Sequence, residues 1–245
     1  MSVILNAFVG LLAGVLINYL ADVLPASRRF ARPQCRACGQ VYPLKDYLLA
    51  PKCPHCGKKA PARTYLVLLG SAAVSVLLHF FPFFNLSFWA TLPLLVYFGV
   101  VAVIDLEHRL VLLEISLVGL ALGLIYGWLM RGLPTTLWGG LGGLLVMLAF
   151  YLLGIVFAKV VGKIRHKNIS ETAFGFGDVF VGTILGLLMG WPAVVGAFII
   201  GFLAFALFSL GAIILLAVTK RYRAFANAQA LAPFLILGAI VVFYL

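Results

Sequence analysis

Gly175-Phe176-Gly177-Asp178-Val179-Phe180-Val181-Gly182-Thr183-Ile184-Leu185-Gly186-Leu187-Leu188-Met189 sets a carboxylate at the head of an unbroken apolar run. An acid entering a lipid-buried helix is costly, and such residues mark functional positions by default. A second acid, Asp105, closes another apolar run, Val100-Val101-Ala102-Val103-Ile104. The only other aspartates are Asp22 and Asp46. The fold therefore turns on apolar helices, and the chemistry on whether Asp105 and Asp178 meet.

The rest of the composition agrees with lipid as the solvent. The chain has 245 residues, of which 10% are charged, against about 25% in a soluble domain. Its mean hydropathy is +1.15. A net charge of +11 raises the question of a nucleic-acid partner. The position of the charges answers it: nine of the 18 basic residues lie between Arg28 and Arg63, and most others sit in short loops. That is the distribution of topology signals, and no second soluble domain exists to carry a nucleic-acid surface.

Spanning helices need roughly 20 mainly apolar residues. Eight stretches are expected to be helical: 2–24, 65–81, 86–104, 111–130, 136–159, 177–190, 192–219 and 231–245. The sixth and eighth are short, so partial or protein-buried spans are expected there. Gly139-Gly140 and Gly142-Gly143 in the fifth read as packing glycines that allow close helix approach. The first run has no preceding basic residue, unlike a secretory signal, and reads as an uncleaved span with its N-terminus outside. With that orientation, 17 of the 18 basic residues, including Arg109, Lys159, Lys163, Arg165, Lys167, Lys220, Arg221 and Arg223, face the cytoplasm, and Arg131 alone faces out. It also puts Asp105 and Asp178 at one membrane face. The expected fold is an all-α polytopic membrane protein of about eight transmembrane helices with a small cytoplasmic Zn-ribbon-like insertion. The first helix covers 1–24, the metal-binding loop 25–64 and the transmembrane catalytic domain 65–245.

All four cysteines lie in that loop, as Cys35-Arg36-Ala37-Cys38 and Cys53-Pro54-His55-Cys56. Each CxxC offers two thiolates to one metal, and two such knuckles complete a tetrahedral S4 site. A segment of ~40 residues has too small a core to fold alone, so a structural metal, Zn, is expected. Two disulfides are the alternative, disfavoured at a reducing cytoplasmic face. Four thiolates fill the shell, leaving His55 without a ligand role and no open position for water.

Two carboxyl groups sharing one proton are the equipment of an aspartic protease. One activates water as general base; the other polarises the scissile carbonyl and helps the amine leave. Gly175 and Gly177 would let the backbone turn sharply and a substrate strand approach. Other readings of the same residues stand beside this one. Asp178 could cap its helix, Asp105 could pair with Arg109, and intramembrane acids also line ion or proton paths in transporters. A noncatalytic assembly factor that docks proteins through its cysteine loop is a third class.

Taken together, these motifs resemble the type IV prepilin leader peptidases, membrane aspartic proteases of the GxGD type. Asn18 followed by Leu24-Pro25, the double CxxC loop, Arg63-Thr64-Tyr65, Ile104-Asp105-Leu106, Gly175-Phe176-Gly177-Asp178-Val179, and Pro233-Phe234-Leu235 with Gly238-Ala239 all stand where that family has its motifs. The resemblance implies catalysis by Asp105 and Asp178. It implies removal of a short basic leader from prepilins or pseudopilins, after a glycine, at the cytoplasmic face of the plasma or inner membrane. Many members also methylate the new N-terminus with S-adenosylmethionine. The chain departs from the pattern at Leu113-Glu114, at Phe180 and at Ala230-Leu231-Ala232-Pro233. Leu66-Val67-Leu68-Leu69 stands where an acid linked to methyl transfer is usual.

Overall fold

The computed structural model describes residues 3–35, 37–41, 47, 53, 55–83, 86–165, 175–219 and 229–245. Among the residues weighed above, Arg36, Asp46, Pro54, Lys167, Lys220, Arg221 and Arg223 lie outside the described residues. The described residues form eight helices: α1 (Val3–Ser27), α2 (Ala62–Phe80), α3 (Phe88–His108), α4 (Leu113–Arg131), α5 (Leu133–Arg165), α6 (Phe176–Met189), α7 (Ala193–Val218) and α8 (Ala232–Tyr244). An isolated bridge joins Gln34 and Val41.

Each expected apolar run is a helix, and the protein is an all-α, multi-pass membrane protein. Six helices are long and apolar enough to cross a bilayer; α6 and α8 are shorter apolar helices. The largest boundary shift is in α5, which runs 33 residues. Its apolar part ends where expected, but Lys159-Val160-Val161-Gly162-Lys163-Ile164-Arg165 contains no proline to stop the helix.

The chain divides into two compact units, Met1–Ile104 and Asp105–Leu245. In the first, α1 and α2 meet along small residues. A Cβ at Gly10 would lie 2.5 Å from Ser75 Cβ, and one at Gly14 would collide with the Ser71 hydroxyl. In lipid, helices associate through such close packing because no hydrophobic gain separates helix from tail. Polar groups finish the seam. Ser75 Oγ donates to the Asn6 carbonyl at 2.7 Å, and Asn18 Nδ2 donates to the carbonyls of Gly14 at 3.1 Å and Thr64 at 3.2 Å. The Asn18 amide thus ties α1 to the first turn of α2.

The second unit is built around α6. Its 14 residues are a length of about 21 Å, less than a ~30 Å hydrocarbon core. Val179, Val181, Ile184, Leu185, Leu188 and Met189 are each at most 3% exposed. A helix apolar on every side is a buried one, and α6 packs against α4, α5, α7 and α8. Against α5 the backbones nearly touch: a Cβ at Gly139 would strike the Gly186 carbonyl, and one at Gly143 the Gly182 carbonyl. At the C-terminus of α6, Arg131 Nη1 donates to the Leu188 carbonyl at 3.3 Å, placing a cation on the negative end of the helix.

Candidate functional site

Asp105 is at the end of α3, where the helix gives way to Arg109 in the left-handed conformation (φ 55°). The Arg109 N–H bonds the Asp105 carbonyl at 2.9 Å, while the Arg109 side chain is exposed. The Asp105 carboxyl itself is 5% exposed. Its Oδ2 accepts the backbone N–H of Ala232 at 3.0 Å. Ala232 opens α8, so this N–H is one of the donors that a helix start leaves without an intrahelical acceptor. The Pro233 motif gains a physical meaning here. Proline in the first turn of α8 needs no N–H, and the neighbouring donor is turned on the acid.

Asp178 is the third residue of α6 and 8% exposed. Its Oδ2 accepts the Gly175 N–H at 3.1 Å, so it closes the helix start from inside the first turn. Gly175 is the N-cap residue and has no side chain to return a bond, so the cap is one-sided. The two acids belong to the same unit, and their carboxyl groups lie within electrostatic reach of one another. Both carboxyls are buried, each with Oδ2 accepting from a backbone donor.

The two glycines differ. Gly175 has an extended backbone open to any residue (φ −81°, ψ 148°), and a Cβ there would meet Asp178 Oδ2 no closer than 3.7 Å. Gly177 is a packing requirement, since a Cβ would lie 2.5 Å from Val111 Cβ. The expected freedom to turn is not used at Gly175; what is used is the lack of bulk at Gly177. Phe176 between them is half exposed, with its ring against Tyr151 at 5.5 Å and Phe180 at 5.4 Å.

The four cysteines form a separate cluster. Cys35 and Cys56 sulfurs are 3.7 Å apart, Cys38 and Cys53 sulfurs 3.8 Å, and all four lie within 4.8 Å of one another. A tetrahedral ion with metal–sulfur bonds of about 2.3 Å spaces its sulfurs about 3.8 Å apart, so the cluster fits a metal ion. The thiols are free, not paired as disulfides. The Ala37 backbone N–H, with that of Cys38, holds the Cys35 thiol down at about 6. At Cys38 the Gln40 N–H pulls the same way, but desolvation and the three neighbouring sulfurs push it up to about 11. Packed thiols resist full deprotonation until a cation joins them.

Sequence reasoning missed the repeat that shapes these knuckles. Gly39 donates to the Cys35 carbonyl at 2.8 Å and Gly57 to the Cys53 carbonyl at 2.9 Å; both glycines are left-handed, at φ 71° and 68°. Cys35 N–H returns to Gln40 and Cys53 N–H to Lys58, both at 2.9 Å. The signal was present as a glycine directly after each CxxC. Val111 and the Ala232 N–H carried no such signal.

The loop is also fastened to α1. Asp22 accepts Arg63 Nη2 at 2.8 Å on one oxygen and the Tyr47 hydroxyl at 2.6 Å on the other.

No curated protein and no solved structure matches the chain. Residues 92–210, which contain both Asp105 and Asp178, match the family model described as the type IV leader peptidase family. Over residues 92–210, just under half of the chain, this membrane protein is similar to the type IV leader peptidase family.

Proposed function

We propose that the protein is a membrane aspartic endopeptidase that removes the leader from prepilins or pseudopilins, with Asp105 and Asp178 as its catalytic pair. The observation that carries the reading is that these two carboxyls are both buried and within electrostatic reach of one another, inside the segment that matches the leader-peptidase family model. Burying two acids together is costly, and a shared proton is what relieves it. The ionised member takes a proton from water as the water attacks the scissile carbonyl carbon. The protonated member donates to the carbonyl oxygen, and a proton then passes to the leaving amine as the C–N bond breaks. The backbone donors from Ala232 and Gly175 hold the two carboxyls in place for this exchange.

The substrate in this reading carries a short basic leader followed by an apolar helix, and is cut after a glycine at the cytoplasmic face of the plasma or inner membrane. With the N-terminus outside, the expected spans would put 17 of the 18 basic residues on the cytoplasmic side, a distribution that supports that orientation. The cysteine cluster is read as structural Zn: Cys35, Cys38, Cys53 and Cys56 would hold the ion, which fastens the loop and leaves no position for water. Methyl transfer from S-adenosylmethionine is a separate property. Leu66-Val67-Leu68-Leu69 offers it no carboxylate, so cleavage is the activity proposed here.

The test is co-expression with a pilin and mass spectrometry of its N-terminus. Wild type should shorten the pilin to its apolar helix. Asp105→Asn and Asp178→Asn should each lose several orders of magnitude in rate, as catalytic units do. Cleavage retained by either variant would remove that residue from the chemistry, and an added ~14 Da on the product would establish methylation. Ion flux through proteoliposomes without cleavage would make the pair a transport site instead.

A further inference from the structure

Arg28-Arg29-Phe30-Ala31-Arg32 follows directly on α1, and neither the metal cluster nor the acid pair uses it. Arg28 adopts the left-handed conformation (φ 52°) while its N–H still bonds the Leu24 carbonyl at 2.9 Å, which ends the helix in a tight reversal. The Ser27 hydroxyl donates to the Arg29 carbonyl at 2.6 Å. The chain then runs back along α1, because the Tyr19 hydroxyl donates to the Ala31 carbonyl at 2.9 Å. Tyr19 is eight residues before the helix end, about 12 Å down its axis.

The direction of that return matters. α1 has 25 residues, about 37 Å of helix, and outruns a hydrocarbon core of about 30 Å. A segment turned back there is held against the flank of α1 and does not project away from it. There Phe30 is 82% exposed, and Arg28, Arg29 and Arg32 are exposed around it. Among the described residues none of the three guanidinium groups takes part in an ion pair. Asp22, the acid on this end of α1, is engaged by Arg63 and Tyr47.

We propose that Arg28, Arg29, Phe30 and Arg32 form a binding site for an anionic phospholipid headgroup at this end of α1. Guanidinium groups match phosphate oxygens with paired hydrogen bonds, and an exposed aromatic ring seats at the headgroup–acyl boundary. An acidic protein would satisfy the arginines equally. The bilayer is favoured because the segment is pinned beside a spanning helix and presents a bare ring. This site does not depend on the peptidase reading.

Native mass spectrometry of the full chain, released from detergent with phosphatidylglycerol or phosphatidylcholine added, tests it. Wild type should retain phosphatidylglycerol over phosphatidylcholine, and retention should fall as salt rises. Replacing Arg28, Arg29 and Arg32 by Gln together with Phe30→Ser should weaken that retention about 100-fold, at about fivefold per cation. Lys58→Gln with Lys59→Gln should leave it unchanged. Equal retention of the two lipids by wild type would overturn the site without reliance on any variant. So would full competition by glycerol 3-phosphate, which indicates a phosphate site and not a lipid site. Phosphatidylglycerol retained undiminished by a folded quadruple variant, or an acidic protein lost from it while lipid stays, would also overturn it.

Discussion

The backbone N–H of Ala232 donates to Oδ2 of Asp105 at 3.0 Å, joining residues 127 apart in the chain. This bond gives α8, a helix of 13 residues, a purpose that its length does not suggest. Its start supplies a fixed donor, and it packs against α6, which carries the second acid. In the proposed reaction, a carboxyl held by a backbone N–H would need no reorganisation.

If that donor positions Asp105, removing it should slow the chemistry without unfolding the helix. Ala232→Pro keeps a residue tolerated at a helix start but has no N–H. Turnover on a prepilin-like substrate is expected to fall about 10- to 100-fold, the loss of one hydrogen bond to a charged group at about 1.5–3 kcal/mol. Helical content by circular dichroism should be retained. Wild-type turnover in this variant would detach α8 from the acid pair.

The glycines before Asp178 should separate in stability. Gly177→Ala places a methyl 2.5 Å from Val111 Cβ and is expected to cost about 1–3 kcal/mol by overpacking. Gly175→Ala has room and should stay within about 0.5 kcal/mol of wild type in thermal unfolding. Val111→Gly should restore most of the Gly177→Ala loss. A rescue that fails would mean the glycine is needed for something other than space.

The cysteine cluster should hold one Zn per chain, counted by elemental analysis of purified protein. Chelation should expose the segment between Arg28 and Arg63 to protease, and Cys53→Ser should do the same and abolish the metal. A reduced loop that stays protected with no metal bound would contradict a structural role.

The Asp22 junction should govern how firmly this loop sits. Asp22→Ala strips Arg63 and Tyr47 of a shared acceptor whose side chain is 18% exposed, and should cost about 1–3 kcal/mol. Asp22→Asn keeps an acceptor oxygen for Tyr47 and should cost less. Limited proteolysis of the loop, compared across the two variants, measures the difference. Equal protection in both and in wild type would show that the metal alone fastens the loop.

Much of this molecule is legible in its one-dimensional pattern. A mean hydropathy of +1.15 and apolar runs near 20 residues dictate helices in lipid, since an unpaired backbone group has no water there. The paired CxxC spacing dictates a four-thiol cluster, because short-range geometry suffices to turn each knuckle. Two acids at the ends of apolar runs single themselves out by their cost alone.

What the pattern could not contain is anything set by contacts between distant segments. The donor for Asp105 is a backbone N–H, which every residue but proline has, so no residue type announces Ala232. The need for Gly177 comes from Val111, 66 positions earlier in the numbering, and disappears if that neighbour is smaller. Even the role of α6 as a core helix depends on which helices surround it; its own apolar residues would suit lipid as well as protein. Covalent pattern selects the secondary structure and the kinds of chemistry present. Packing decides which groups touch, because touching depends on the space that all the other helices leave.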